Sequence, residues 1–236
     1  MIGFLGKGIK RNIQTDRINV AYQGGLSAAN IVPPCLKENR YRCFFKDNDI
    51  EKAKILLEEG MAELGITKEA FKAVALYYYS RIYGASELVQ IIQQQWSKAL
   101  GISIKLEKLD FSIALDKMAK GDYSMCMASW TAMYYDPMNV LERFKYKNYT
   151  MNFSKWESSR YIELLDRSNY EQGDKRLLNL EEAEKILIEE MPIIPLLHED
   201  YVYMINQHLS FNIPLWGDRI FLPLIQKENK NECKKH

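Results

Sequence analysis

Ile91 to Glu107 reads IIQQQWSKALGISIKLE, and a change of period inside this stretch decides the fold. Leu88, Ile92, Trp96 and Leu100 recur at four, which places them on one face of a helix that Ser86 opens and Gly101 ends. After Gly101 the period falls to two. Ile102-Ser103-Ile104-Lys105-Leu106-Glu107 alternates strictly, so it predicts a strand with one buried and one wet face.

The same alternation of elements continues on both sides. Upstream, Ile50, Ala53, Leu56, Leu57, Met61 and Leu64 form one helical stripe, with Asp49 as N-cap and Gly65 as stop. Phe71 to Tyr79 is aromatic and β-branched enough for a buried strand. Downstream, a helix from Ser112 to Lys120, a strand from Tyr123 to Trp130 and a helix starting near Pro137 complete a β-α-β-α-β-α run. Ser154-Lys155-Trp156-Glu157 fits a capping box before a helix carrying Tyr161, Ile162, Leu164 and Leu165. Asp174 begins a longer helix with Leu177, Leu180, Ala183, Ile186, Leu187 and Met191, stopped by Pro192. Ile193 to Leu197 and Tyr201 to Ile205 read as strands. Residues 2 to 22 read as helical with a break at Thr15-Asp16-Arg17, and Leu26 to Phe45, with Pro33-Pro34, reads as a long irregular connection. The fold class is therefore α/β, with a mixed sheet and flanking helices.

Composition narrows the function. With 236 residues the chain can bury a sizeable core. Lys+Arg 32 against Asp+Glu 31 leaves no electrostatic footprint for nucleic acid, which is excluded as a partner. Fifteen tyrosines, each with an apolar face and a polar tip, suit amphipathic walls as well as ordinary packing. Cys35, Cys43, Cys126 and Cys233 lack the spacing of a zinc or redox site. Cys35 and Cys43 are near enough in sequence to close a small loop, but two free thiols are expected. The N-terminal apolar stretch is too short and glycine-broken for an export signal, and no stretch approaches the ~20 apolar residues of a membrane span.

Catalytic signatures are missing. The chain has no G-x-S-x-G elbow, no H-E-x-x-H, no P-loop and no G-x-G-x-x-G entering a helix, so no enzyme, metal site or cofactor is expected. His198-Glu199-Asp200, with His208, is the one suggestive cluster, but neighbours on a strand point to opposite faces. The acidic pairs Glu58-Glu59, Glu181-Glu182 and Glu189-Glu190 lie beside apolar stripes and read as solvated faces.

Several stretches, in order, resemble the oligopeptide-binding proteins of peptide ABC importers, the large extracellular solute-binding proteins. Thr15-Asp16-Arg17, Gln23-Gly24-Gly25 and Val32-Pro33-Pro34 resemble one family segment, and Asp49 to Gly60, DIEKAKILLEEG, resembles its D-x-x-K-A-K-x-L-L-x-E-A-G helix. IIQQQWSKALGISIKLE is similar to I-Q-x-x-W-x-K-x-L-G-I-x-V-x-L. GDYS at 121–124 with SWTAMYYDP at 129–137 resembles G-D-F-D…G-W-x-A-D-Y-x-D-P, and AEKILIEEMPIIPL at 183–196 resembles the family's closing helix and strand.

The resemblance implies the second lobe of a periplasmic-binding-protein-like fold over residues 1–199. It further implies a segment, 200–226, that in the family returns to the first lobe, and a disordered polar tail, 227–236. It implies extended peptides held between two lobes, a periplasmic or cell-envelope setting, and as partners the permease subunits of an importer and a separate first-lobe chain. Without an export signal the chain as it stands would be cytoplasmic. The alternative is a stand-alone interaction or vestigial protein that keeps the lobe and binds no peptide. By resemblance the peptide site comprises Phe111, Ser129, Trp130, Thr131, Met133 and Tyr134. Trp130 falls on the tryptophan of the G-W motif and Phe111 on a neighbouring pocket aromatic. Met133 stands where relatives hold the carboxylate facing a peptide's ammonium group, and Ser129 replaces a glycine. Asp136 is expected to cap the following helix. Met125, Met127 and Met133 would soften the wall, with core filling as the other reading.

Overall fold

A computed structural model describes residues 25–37 and 42–199, and the backbone of 209–211 and 225–227. The helix expected over 2–22, the strand over 201–205, Asp200, His208, Cys233 and the tail beyond 227 lie outside the described residues.

The strands are β1 (Leu26–Ser27), β2 (Ala75–Tyr78), β3 (Lys105–Lys108), β4 (Met125–Cys126), β5 (Leu197–His198), β6 (Leu209–Phe211) and β7 (Ile225–Lys227). The helices are α1 (Ile50–Leu64), α2 (Ala85–Leu100), α3 (Phe111–Lys120), α4 (Pro137–Leu141), α5 (Ser159–Ser168) and α6 (Gly173–Glu190). Strand order β3-β2-β4 forms a parallel sheet, whereas β1-β5 and β6-β7 are separate antiparallel pairs. Both pairing senses are present, then, but in different small sheets. Lys227, read as the start of the disordered tail, instead pairs with Leu209 as the last residue of β7.

Among the described residues two large apolar cores and one small cluster, Ala29, Phe45, Ile188 and Met191, organise the fold. The first lies between the parallel sheet and α1, α2 and α3, and centres on Leu57, Leu88, Val89, Ile92, Trp96, Leu100 and Ile102. Each large side chain buried there contributes about 1.5–3 kcal/mol, and α2 supplies a whole face of them. The second core holds Val32, Leu36, Leu141, Tyr161, Leu164, Leu165, Leu180 and Leu187, from α4, α5, α6 and the chain before α1.

Local chemistry explains most boundaries. Asp49 accepts the Lys52 N–H at 3.2 Å and Gly65 closes α1 at φ 62°, as expected. Ile102 and Ile104 are buried while Ser103 and Lys105 are exposed, although hydrogen-bonded pairing begins only at Lys105. The stretch from Phe71 is not one strand: Lys68–Ala73 is a 3-10 helix that buries Phe71 on one side, and β2 starts at Ala75. The strand expected over Tyr123–Trp130 is only Met125–Cys126. Met127 still donates to the Tyr77 carbonyl at 2.8 Å, but the next carbonyl on that side of β2, Tyr79, faces the Ile82 N–H at 3.5 Å where the chain turns, so the ladder ends there.

The capping box at Ser154 does not form. Lys155 takes φ 53°, which no helix allows, and Ser154 Oγ donates to Asn152 Oδ1 at 2.8 Å. Glu157 accepts the Lys147 N–H instead, and α5 begins at Ser159. At the sheet edge, Gly25 at φ 104° is required, because a Cβ there would meet the His198 carbonyl oxygen at 2.8 Å.

Candidate functional site

All three strands of the parallel sheet end on the same edge, at Tyr78, Lys108 and Cys126. Ligands of parallel α/β sheets bind outside the carboxyl ends of the strands. Phe111 follows β3 and opens α3, with its ring 5.2 Å from that of Tyr79 in an edge-on arrangement. The backbone of Ser129, beyond β4, lies within hydrogen-bonding reach of the Tyr79 hydroxyl. Burial raises the pKa of Tyr79, and the Ser129 bond works against it. Phe111 and Ser129 are thereby brought together through Tyr79, and Trp130 adjoins them.

Trp130 belongs to none of the three apolar clusters formed by the described residues. Its indole instead carries the Arg143 guanidinium, whose carbon lies 3.7 Å from the ring centroid. Met127 packs in the first core and Ala132 in the second, so Ser129, Trp130 and Thr131 bridge the two.

Thr131, Met133 and Tyr134 lie further along the same loop, which α4 pins in place. Asn139 Oδ1 accepts the Met133 N–H at 2.8 Å, and the Tyr134 hydroxyl donates to Glu142 at 2.9 Å. Burial and then the Glu142 carboxylate push the Tyr134 hydroxyl up to about 12. Met133 is 66% exposed, whereas Met125 and Met127 pack on the first core, so methionine softness at this wall reduces to one residue. Asp136 caps α4 as expected, accepting the Met138 N–H at 2.8 Å, and also pairs with Arg176 at 2.9 Å.

Arg81 escaped the sequence reading. It follows β2, is exposed, and sets its guanidinium carbon 4.2 Å from the Phe111 centroid. A lone basic residue after a buried aromatic strand was the only available signal. Glu184 escaped as well, although Leu180, Glu184, Leu187 and Met191 fall on one helix face: it is 1% exposed and accepts from Lys37, Val32 and Ile31. Glu181 pairs with Arg42 at 2.7 Å, so it is more than a solvated charge.

His198 Nε2 meets Asn30 Oδ1 at 2.9 Å, a contact between β5 and the segment after β1. Among the described residues, no three His, Cys, Asp or Glu side chains are grouped to hold a metal ion. Cys35, Cys43 and Cys126 are free thiols, and burial pushes Cys126 up to about 11. Among the described residues, no helix is long and apolar enough to cross a membrane.

The α/β fold, with its candidate wall at the carboxyl edge of a small parallel sheet, is of the periplasmic-binding-protein type, and sequence comparison gives the family. Residues 15–152 match the family described as bacterial extracellular solute-binding proteins, family 5 middle, and the chain belongs to that family. It is 33% identical over 181 residues to the oligopeptide-binding protein OppA of Bacillus subtilis, covering 75% of this chain and 33% of that protein. To the dipeptide-binding protein DppE of the same organism it is 30% identical over 160 residues, covering 67% and 29%. The chain thus spans about a third of the length of these curated relatives. An oligopeptide-binding protein of Borrelia burgdorferi superimposes with a TM-score of 0.79 at 24% identity, over 95% of this chain and 45% of that one. That likeness speaks for a shared fold, the periplasmic-binding-protein type.

Proposed function

We propose that this chain supplies one wall of a peptide-binding cleft in the binding component of an oligopeptide ABC importer. The observation that carries this reading is the contiguous group Phe111, Tyr79, Ser129 and Trp130 at the carboxyl edge of the parallel sheet. Such an edge offers aromatic faces and free backbone groups to an extended peptide, whose main chain supplies affinity while its side chains remain loosely specified. Thr131, Met133 and Tyr134 continue the wall, and Arg81 adds a cation beside Phe111. Binding, not catalysis, is the activity, and no cofactor takes part. On this reading the described residues up to Glu199 belong to one lobe, and the β6–β7 pair belongs with the other. The partners are oligopeptides, importer permease subunits and a first lobe, in the periplasm or cell envelope.

A cleft buries its ligand only when both walls are present. Calorimetric titration of the chain with mixed short peptides should therefore give affinity in the millimolar range, and Trp130→Ala should remove that heat. Micromolar binding by the monomeric chain would overturn the two-wall reading. A second reading, an interaction module that binds no peptide, draws on Met133 standing where relatives hold an acid. Complete absence of heat at millimolar peptide would favour it.

A further inference from the structure

Arg143 occupies a place where a guanidinium is costly to keep. It lies half-buried in the 3-10 helix Glu142–Phe144 that follows α4, and burial pulls its pKa down to about 10. A desolvated charge ordinarily finds a carboxylate. Among the described residues none pairs with it: Asp136 is engaged by Arg176, and Glu142 by the Tyr134 hydroxyl. What Arg143 does have is the indole of Trp130 at 3.7 Å, the ring of Phe144 at 5.5 Å, and the Met151 carbonyl, which accepts from Nη2 at 3.4 Å. Its Nε is shielded from solvent and has no hydrogen-bond partner among the described residues.

Trp130 is in a matching position. Among the described residues its Nε1 is also enclosed without a hydrogen-bond partner, and its ring joins no apolar cluster. The ordinary means of locking a tryptophan, an N–H bond or a tight core, are absent here. The stacked guanidinium is what remains. Arg143 is in turn anchored to the loop ending at Asn152, a fully buried residue whose amide donates to the Tyr146 and Trp156 carbonyls at 3.0 and 2.8 Å. A methionine or leucine would fill the same volume without the desolvation cost, whereas a planar guanidinium covers an indole face as no aliphatic chain does.

We propose that Arg143 is a positioning residue that sets the pose of Trp130 toward the ligand, a role that rests on the peptide reading of this wall. The test follows the indole N–H resonances of the full chain, assigned with Trp130→Phe, in the unmodified protein, Arg143→Met and Arg143→Lys. Tetra-alanine is then titrated in at millimolar concentrations. Arg143→Met should move the Trp130 resonance and leave Trp96 and Trp156 in place, with the thermal melt retained. Tetra-alanine affinity read at Trp130 should fall about three- to thirtyfold, the range of one cation–π contact. Arg143→Lys keeps the charge without the flat face and should recover only part of that loss.

An unchanged Trp130 resonance in Arg143→Met overturns the proposal, as does a shifted resonance with unchanged tetra-alanine affinity. If Trp130 in the unmodified chain does not respond to tetra-alanine at all, the peptide reading falls and takes the proposal with it.

Discussion

Lys37 and Glu184, 147 residues apart in sequence, meet inside the second core at 2.5 Å, with 9% and 1% of their side chains exposed. The same carboxylate accepts the backbone N–H groups of Val32 at 2.8 Å and Ile31 at 3.0 Å. One side chain of α6 therefore ties down residues 31 to 37.

Replacing Glu184→Ala should cost about 3–5 kcal/mol, because it strands a buried ammonium and two N–H donors together. Glu184→Gln should cost less, since its carbonyl still serves the two N–H groups. Burial raises the Glu184 pKa above its ordinary 4.5, and Lys37 opposes that shift. For a carboxyl raised in the folded state the contribution is present at low pH and is lost as pH rises through the folded value. Chemical denaturation in steps upward from about pH 4 should show this component falling in the wild type. Its persistence in Glu184→Gln would assign it to another group.

The second prediction concerns independent folding. The two cores and the pairing of β5 with β1 are complete by Glu199, and β6 pairs with β7 beyond it. Ending the chain after Glu199 should retain a cooperative thermal transition. Loss of that transition, with retention in the full chain, would make the later segment integral to the fold.

The third concerns Met133, exposed and backbone-anchored to Asn139. A charge-assisted hydrogen bond contributes roughly 1.5–3 kcal/mol, so a wall without the acid should bind N-acetylated peptides about as well as free ones. Joined to a complete first lobe of a relative, Met133→Asp should restore preference for the free amine by about tenfold. The effect should be larger near pH 6 than near pH 9, since the α-amine loses its proton at about 8. If the unmodified protein already prefers free over acetylated peptides about tenfold, another acid does the work. Asp136 is committed to Arg176 and the α4 cap, which would leave Glu142, beside Tyr134.

Signals that act within one or two turns of chain were legible in the sequence. The helix–glycine–strand order around Gly101, the Asp49 cap with its Gly65 stop, and the Asp136 cap all concern groups within about a turn of each other. Such groups meet whatever the rest of the chain does. Where a local signal had a competitor, the reading missed. Ser154 has the right neighbours for a capping box, yet the turn at Lys155 and the bond to Asn152 use the same atoms differently. The aromatic stretch from Phe71 carries no period that distinguishes a one-sided 3-10 turn from the start of a strand.

From the sequence alone come the α/β class, the order of its pieces, the family to which they belong, and the candidate wall residues as types at positions. The class and the order follow from periodicity and composition, which depend on residues near one another in the chain, whereas the family and the wall residues follow from short motifs that resemble those of known proteins. Only the tertiary structure decided which distant groups share a site: Lys37 with Glu184, Tyr79 with Ser129, Arg81 with Phe111, and Arg143 with Trp130. A buried charge or a stacked ring is stabilised by partners that arrive through packing, and sequence separation carries no information about which surfaces will close on each other.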